Sequence, residues 1–335
     1  MSAAVTAVVG SSIWTRNNLA GEAAGIAWLF PGQGAQRVGM GQDVAAEFPE
    51  ARAVFEAADA ALERPLSEII FHGPEEELVR TVNTQPAILA TSLACLAAAQ
   101  ATGDVLRESP SFMAGHSLGE YSALVAAGAL SFAAGIRLVQ ERGRLMQEAC
   151  DANPSTMAAL IGLDESAVAA VCKASGAEIC NINTGNQIVV GGRHAAVAAA
   201  VEAAKAAGAR RAIPLKVGGA FHSSLMRAAA EGMVTALEAV DFAPPATPVV
   251  GNVQAEALTA ADEVQADLRE QVSSPVRWRQ SVELMLAAGV RRFVEIGPGS
   301  ALTGMVKTIV KEEGAKAEGP NLLNLNDVAS IRVGS

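Results

Sequence analysis

Apolar stretches of strand length alternate with stretches of helical periodicity along the first half of the chain. The run from Ile26 to Phe30 is wholly apolar and stops at Pro31-Gly32, which is typical of a buried strand that ends in a loop. A second, weaker strand is predicted over residues 111–115. Apolar positions recur at helical spacing in residues 43–62, 85–99, 118–125 and 133–149. Strands that alternate with helices predict a parallel α/β sheet.

The middle of the chain has a different rhythm. Strands are predicted over residues 156–163, 178–183, 187–191 and 210–217, and helices over residues 164–175 and 193–207. The order β-α-β-β-α-β is that of a ferredoxin-like unit. At about 70 residues, such a unit is near the lower end of domain size.

We therefore expect an α/β protein whose large parallel-sheet domain, residues 26–152 and 219–311, carries an inserted ferredoxin-like subdomain, residues 153–218. Residues 1–25 are rich in Ala and Ser and are expected to form a loose leader, with organelle targeting as the alternative. Periodicity fades after about Glu312, so we expect residues 312–335 to form a poorly packed tail.

Composition excludes several classes of protein. Half of the 335 residues are hydrophobic and 18% are charged, which supports a real core. With 25 basic and 35 acidic residues the net charge is −10, unlike that of a general nucleic-acid binder. The sequence has no unbroken run of 18 apolar residues, so we expect no transmembrane helix. Four cysteines without a C-x-x-C pair suggest reduced thiols in a cytosolic protein, and no cluster has metal-ligand spacing.

A candidate nucleophile lies where the second strand meets a helix. The segment Gly115 to Gly119 fits G-x-S-x-G, in which a serine stands exposed on a sharp strand-to-helix turn. The context is the required one, so the pattern favours Ser117 as a nucleophile. The alternative is an ordinary turn with a capping serine.

A serine nucleophile needs a base, and the chain has four histidines. His72 precedes a helix in an acidic loop, His116 is adjacent to the serine on a tight turn, and His194 begins a helix. His222 follows a strand in a Gly-rich loop, and elimination favours it over a core or capping role. Between the serine and His222 the chain has two aspartates, Asp151 in a loop and Asp164 as a helix cap. A dyad oriented by a backbone carbonyl therefore fits better than a complete triad.

Two further features concern anions. The loop Phe30 to Gln36 is Gly-rich but completes neither a P-loop nor G-x-G-x-x-G, so its amides are better suited to an oxyanion than to a nucleotide. Arginine grips carboxylates with paired hydrogen bonds, and Arg142 lies on the helix after the serine. Its neighbours Arg137 and Arg144 are equally placed, and the pattern alone does not choose among the three.

Taken together, these segments form a recognisable set. In chain order they are Phe30-Pro31-Gly32-Gln33-Gly34-Ala35-Gln36, Gly115-His116-Ser117-Leu118-Gly119-Glu120-Tyr121, Arg142-Gly143, Ala220-Phe221-His222-Ser223 and Ile296-Gly297-Pro298-Gly299. Over about residues 26–310 the chain resembles the malonyl-CoA:acyl carrier protein transacylases of type II fatty acid synthesis. The resemblance implies an α/β-hydrolase-like large domain with a ferredoxin-like insertion and an active site between them.

The resemblance also implies a role for each site residue. Ser117 would accept the acyl group, and His222 would serve as its base and then as the acid for the leaving thiol. The backbone carbonyl of Gln271 would orient the imidazole, and the amides of Gln33 and Leu118 would form the oxyanion hole. Further roles fall to Arg142, which would pair with the malonyl carboxylate, and to Phe221 and Leu118, which look like malonyl-selecting variants.

The implied substrates are malonyl-CoA and holo-acyl carrier protein, with no cofactor and no metal. We expect a cytoplasmic monomer that contacts neither nucleic acid nor membrane. Acyl carrier proteins are acidic, so docking should need a basic patch, for which the candidates are Arg210, Arg211, Lys216, Lys307 and Lys311. The alternatives are a free-standing malonyl loader for a polyketide synthase, a serine hydrolase or thioesterase, and a non-catalytic carrier-binding subunit.

Overall fold

The computed structural model describes residues 25–103, 106, 108–314 and 319–332. The predicted leader, except Gly25, lies outside the described residues. The strands are β1 (Ile26–Phe30), β2 (Phe112–Gly115), β3 (Ser155–Ile161), β4 (Glu178–Thr184), β5 (Gln187–Arg193), β6 (Arg211–Pro214), β7 (Val249–Val250), β8 (Ala257–Leu258), β9 (Arg292–Ile296) and β10 (Asn321–Leu325).

The helices were predicted less completely than the strands of the first half. They are α1 (Gln42–Glu47), α2 (Pro49–Leu62), α3 (Leu66–His72), α4 (Glu75–Leu78), α5 (Thr81–Thr102), α6 (Gly119–Ala126), α7 (Phe132–Ala152), α8 (Glu165–Ser175), α9 (His194–Ala206), α10 (Arg227–Glu238), α11 (Ala261–Gln271), α12 (Trp278–Ala287), α13 (Ala301–Glu312) and α14 (Val328–Arg332). The predicted helix over residues 43–62 is two helices, because Phe48 is extended and Pro49 begins the second.

The large sheet has the order β10-β9-β1-β2-β7-β8, and every neighbouring pair except β7 and β8 is parallel. Its central strand β1 is buried on both faces, with Trp28 and Phe30 in one apolar cluster and Ala27 and Leu29 in the other. This is the reason why the strand is continuously apolar instead of alternating. The predicted parallel α/β sheet is confirmed.

The long helix α5 runs through the larger of these clusters. By length and composition it could cross a membrane, but 94% of its most apolar window is buried inside the protein. Thr84, Gln85 and Thr91 are buried with its apolar side chains, and Pro86 lies within it. It is the central helix of the core, against which α2 and α7 pack.

The second sheet is antiparallel, with the order β4-β5-β3-β6. One face, including Leu160 and Ile188, packs on α8 and α9 in a core of its own, whereas Met157 and Cys180 on the other face belong to the main core. The ferredoxin-like order is therefore present next to the parallel sheet, as predicted. The division of the chain at residues 153 and 218 stays a prediction.

Strand β4 links the two sheets. Ile182 N donates to Val276 O at 2.8 Å, and Val276 N donates to Cys180 O at 2.9 Å, so β4 pairs with the segment between α11 and α12. At its far end, Gly185 N donates to Glu312 Oε2 at 2.7 Å. The small sheet is thus held against the segment that reaches the candidate site.

The expected poorly packed tail is wrong for the described part of the C-terminal region. Strand β10 pairs in parallel with β9 and forms one edge of the large sheet. Leu325 and Ile331 are completely buried. The strand is short and asparagines interrupt its leucines, so the sequence pattern does not predict it.

Candidate active site

The segment between β2 and α6 is a tight elbow. A Cβ atom on Gly115 would lie 1.9 Å from the carbonyl carbon of Gly119, and a Cβ on Gly119 would lie 2.0 Å from the carbonyl oxygen of Phe30. Both glycines are therefore required by backbone contacts. Between them Ser117 has φ +53°, the strained conformation of a nucleophile on such a turn.

His222 is the histidine that reaches this serine. The Oγ of Ser117 lies 2.7 Å from His222 Nε2, and His222 Nδ1 lies 2.9 Å from the carbonyl oxygen of Gln271 and 3.2 Å from that of Ser274. Carbonyl oxygens only accept, so Nδ1 carries the hydrogen and Nε2 is free to accept the serine proton. A dyad oriented by backbone carbonyls is what the sequence favoured.

The other histidines lie elsewhere. His116 turns away from its neighbour, because its Nε2 is 2.9 Å from Asn183 Oδ1 on β4 and its ring packs beside Trp278. His72 and His194 are exposed on helices.

Burial, and after it the positive charge of Arg142, lower the pKa of His222 to about 3. The hydrogen bonds to the two carbonyls oppose this shift but do not cancel it. The imidazole is therefore neutral at pH 7, which is the state that a general base requires.

Arg142 is the arginine that enters the site, and the residue is 1% exposed. Nη1 donates to Gln85 Oε1 at 2.9 Å, and Nη2 donates to Gln271 Oε1 at 2.9 Å and to Ser117 Oγ at 3.1 Å. All of these acceptors are neutral, and the guanidinium lies over the ring of Tyr121. A buried cation with neutral partners only is costly, so the site is suited to an anion.

The two arginines that the sequence left open are exposed instead. Arg144 pairs with Glu141 and Glu148 on its own helix. Arg137 donates its Nε to the carbonyl oxygen of Ala61.

Gln271 does more than the sequence predicted. In addition to its backbone carbonyl on His222, its side-chain Nε2 donates to the carbonyl oxygen of Ser117 at 3.0 Å and to Glu120 Oε2 at 2.9 Å. Its Oε1 accepts from Arg142. One residue at the end of α11 therefore contacts the serine, the histidine and the arginine.

The loop that follows β1 lies against the elbow, because a Cβ on Gly32 would be 2.2 Å from the carbonyl oxygen of His116. Within the described part of the chain, the N–H groups of Gln33 and Leu118 donate to no protein acceptor. Free amides are what an oxyanion hole needs, and the oxyanion role of these two stays a prediction. Phe221 is 8% exposed with its ring in the main core, and its role in selection also stays a prediction.

Sequence reasoning missed Asn252 and Gln85. Asn252 Oδ1 accepts from Ser117 N at 2.7 Å, and its Nδ2 donates to Gly115 O at 2.8 Å, so it holds the elbow from the neighbouring strand. It follows β7, and polar residues at the carboxyl ends of parallel strands are a signal that could have found it. Gln85 lies in a helix that is almost wholly buried, where a long amide side chain is equally conspicuous.

A family model and several known proteins match most of this chain. Residues 27–325 match the acyl transferase domain family. The malonyl CoA-acyl carrier protein transacylase of Bacillus subtilis is 45% identical over 289 residues, which cover 85% of this chain and 90% of that protein. The enzyme of the same name from Escherichia coli K12 is 45% identical over 288 residues, which cover 85% of this chain and 92% of that protein.

Solved structures agree in fold. The acyl carrier protein S-malonyltransferase of Vibrio cholerae superposes with a TM-score of 0.87 at 40% identity, covering 93% of this chain and 100% of that one. A malonyl-transacylase in complex with a type II polyketide synthase acyl carrier protein has a TM-score of 0.86 at 41% identity, covering 92% and 98%. The chain therefore belongs to the family of malonyl CoA-acyl carrier protein transacylases.

Proposed function

We propose that this protein transfers the malonyl group of malonyl-CoA to the phosphopantetheine thiol of acyl carrier protein, through a malonyl ester on Ser117. The observation that carries the proposal is the buried guanidinium of Arg142, which has neutral partners only and touches the serine oxygen. A malonyl thioester carries a carboxylate one methylene away from its carbonyl carbon. It is thus an anion of the right length to meet the guanidinium and the serine together.

The first half-reaction forms an ester. The oxygen of Ser117 attacks the thioester carbon while His222 Nε2 takes the hydroxyl proton. The negative charge on the former carbonyl oxygen is held by the amides of Gln33 and Leu118, and loss of one such donor typically costs about a hundredfold or more. The C–S bond then breaks, and His222 returns the proton to the departing thiolate of coenzyme A.

The second half-reaction reverses the first with another thiol. The phosphopantetheine thiol gives its proton to His222 and attacks the ester carbon, and the serine oxygen leaves with that proton. The cycle is ping-pong and uses side chains and backbone amides only, with no cofactor. We place the reaction in fatty acid synthesis, in a cytoplasmic monomer.

Two other fates of the ester define the alternatives. Release to water would make the protein a hydrolase, and delivery to a polyketide carrier would make it a polyketide loader. The second alternative has support from the relative solved with a polyketide synthase carrier protein. Rates of transfer to each type of carrier, measured beside the rate of malonate release, separate the three.

The proposal is tested by intact-protein mass spectrometry after mixing with malonyl-CoA, followed by peptide mapping. The expected result is one malonyl adduct on the peptide that contains Ser117, which S117A lacks and which holo-acyl carrier protein removes. The matched control is S122A, which changes a buried serine on α6 whose hydroxyl has no partner among the described residues. An adduct on S117A, or none on the wild type, contradicts the proposal.

A further inference from the structure

Two buried acids lie behind the site and have no part in the proposed chemistry. Glu120 is in the first turn of α6 and is completely buried, and Asp267 on α11 is 8% exposed. Buried carboxyl groups are costly unless they are paired or hydrogen-bonded. Their presence beside a nucleophile therefore needs an explanation.

Amide donors satisfy one oxygen of each carboxyl and leave the other oxygen without a partner. Glu120 Oε2 accepts from Asn252 N at 3.0 Å and from Gln271 Nε2 at 2.9 Å, and Asp267 Oδ1 accepts from Val253 N at 3.2 Å. The remaining oxygens, Glu120 Oε1 and Asp267 Oδ2, are buried and receive no donor from the described residues. A single proton shared between the two carboxyls would give both of these oxygens a partner, which two ionised groups could not provide.

The electrostatic environment favours the same state. Burial, and then the facing charge of Asp267, raise the pKa of Glu120 well above its usual range, and burial also raises the pKa of Asp267. The other titratable groups that interact with the pair are Tyr121, Arg142 and Glu270. With one proton the pair carries a single negative charge, which faces the buried guanidinium of Arg142 across Gln271.

The pair reaches the reacting groups through two amides. Because Glu120 accepts from Gln271 Nε2, the Oε1 of Gln271 is directed to Arg142. A flipped amide would instead direct its NH₂ group at the guanidinium. Because Glu120 also accepts from the backbone of Asn252, the side chain of Asn252 is held on the amide of Ser117.

We propose that Glu120 and Asp267 act as a positioning pair that shares one proton and fixes Gln271 and Asn252 in the orientation that Arg142 and Ser117 require. The inference rests on the proposed function, because its effect is measured on acylation of the serine. Neither carboxyl touches the substrate. A variant should therefore change the rate through the amides that the carboxyls hold.

E120Q and E120A separate positioning from simple filling of space. In E120Q the amide oxygen accepts the same two donors, and its NH₂ group donates permanently to Asp267. We expect single-turnover acylation by malonyl-CoA at pH 7 to stay within about threefold of the wild type. E120A leaves Gln271 and Asn252 without their acceptor, and we expect a fall of about 30-fold or more.

The pH profile gives a readout that a merely structural role would not move. As the pH rises the wild-type pair loses its one proton, the two carboxylates repel each other, and the acylation rate falls. The amide of E120Q cannot lose that proton, so its alkaline fall should move to higher pH. The matched control is E295Q, which changes another buried carboxyl. Glu295 accepts from the amides of Leu302 and Thr303 and forms no hydrogen bond with the site residues named above, so E295Q should keep the wild-type profile.

The outcomes distinguish a failure of the positioning pair from a failure of the proposed function. Wild-type acylation with an unaffected E120A, or an E120Q profile equal to that of the wild type, overturns the positioning pair and leaves the proposed function standing. A wild type that forms no malonyl adduct overturns both. If circular dichroism shows that E120A is unfolded, the E120Q profile decides.

Discussion

At the scale of single residues, Ser117 and His222 share an unusual backbone. Their φ angles are +53° and +60°, although neither is glycine. Such conformations cost of order 1–3 kcal/mol each and persist only where the surroundings enforce them. The enforcing contacts are the bond from Ser117 N to Asn252 Oδ1 and the bond from His222 N to the carbonyl oxygen of Val272. The 2.7 Å contact between the two side chains thus depends on backbone that is held in place.

Arg142 should decide between acyl groups. R142A removes the cation that we propose for the malonyl carboxylate, so kcat/KM for malonyl-CoA should fall at least about a hundredfold. Acetyl-CoA has no carboxylate, and its transfer should fall far less. The control is R144A, which removes an exposed arginine of the same helix that pairs with Glu141 and Glu148. Equal losses for the two thioesters would remove Arg142 from substrate binding.

His222 should give the reaction an acid limb far below that of an ordinary histidine. If His222 is the base, as we propose, its pKa of about 3 keeps it neutral as the pH falls through the usual range near 6.5, and protonation stops the reaction only below that range. An uncharged fluorophosphonate that labels Ser117 should therefore react at nearly constant rate from about pH 7 to pH 5. H222A should lower that rate by orders of magnitude. An apparent pKa near 6.5 in the wild type would show that the base is exposed or lies elsewhere.

At the scale of elements, the sequence predicted what is encoded locally. Asp164 caps α8 as expected, with its carboxylate accepting from Ala167 N. The elbow at Ser117 could be predicted because two glycines, a serine and a strand-to-helix transition adjoin each other in the chain. For Asn252 and Gln85 the sequence signals a buried or strand-end amide at most, because their contacts with Ser117 and Arg142 depend on which strands and helices become neighbours.

The elbow offers a test of its packing. In G119A the new methyl group would lie 2.0 Å from Phe30 O and 2.9 Å from Pro31 O, and these are backbone atoms that cannot turn aside. We expect a loss of about 1–3 kcal/mol in the free energy of unfolding, together with slower acylation of Ser117. Denaturant unfolding measures the first, and intact mass at short times measures the second.

The matched change is G304A, in α13, where a Cβ would meet nothing within 4 Å. There the same substitution should stabilise the protein by up to about 1 kcal/mol, because alanine is the better helix former. A G119A protein as stable as the wild type would show that the loop after β1 can move away from the elbow.

At the scale of the whole molecule, the two sheets could be predicted from the sequence, whereas the pairings between distant segments that join them could not. The ferredoxin-like order followed from the alternation of elements. The pairing of Ile182 with Val276, and the addition of β10 to the edge of the large sheet, join segments far apart in the chain. Long-range pairings of this kind leave no local periodicity, so the sequence predicts a poorly packed tail after Glu312, although Leu325 and Ile331 are buried.

Charge is also a property of the whole molecule, and it bears on the partner. A chain of net charge −10 that serves an acidic carrier protein needs a local basic surface. Arg210 and Arg211 are exposed where β6 begins, and Lys216 is exposed in the segment that leads from β6 to His222. A carrier that docks there would lie beside a segment that continues directly to His222, the proposed base, so these cations remain our candidates.

Reversing the charge of Arg210 and Arg211 tests this surface. In R210E/R211E, kcat/KM for holo-acyl carrier protein should fall about tenfold at low salt, and the difference should shrink as salt screens the attraction. Acylation by malonyl-CoA is measured separately, so that an effect on coenzyme A binding is recognised. The control K173E/K205E makes the same change in net charge on α8 and α9, which cover the face of the small sheet opposite the main core. The docking surface lies elsewhere if the rate of transfer in R210E/R211E is unchanged at low salt, or if the control loses as much. Only a charge reversal next to the docked carrier should lower the rate more than the control does, and only that loss should shrink as salt is added.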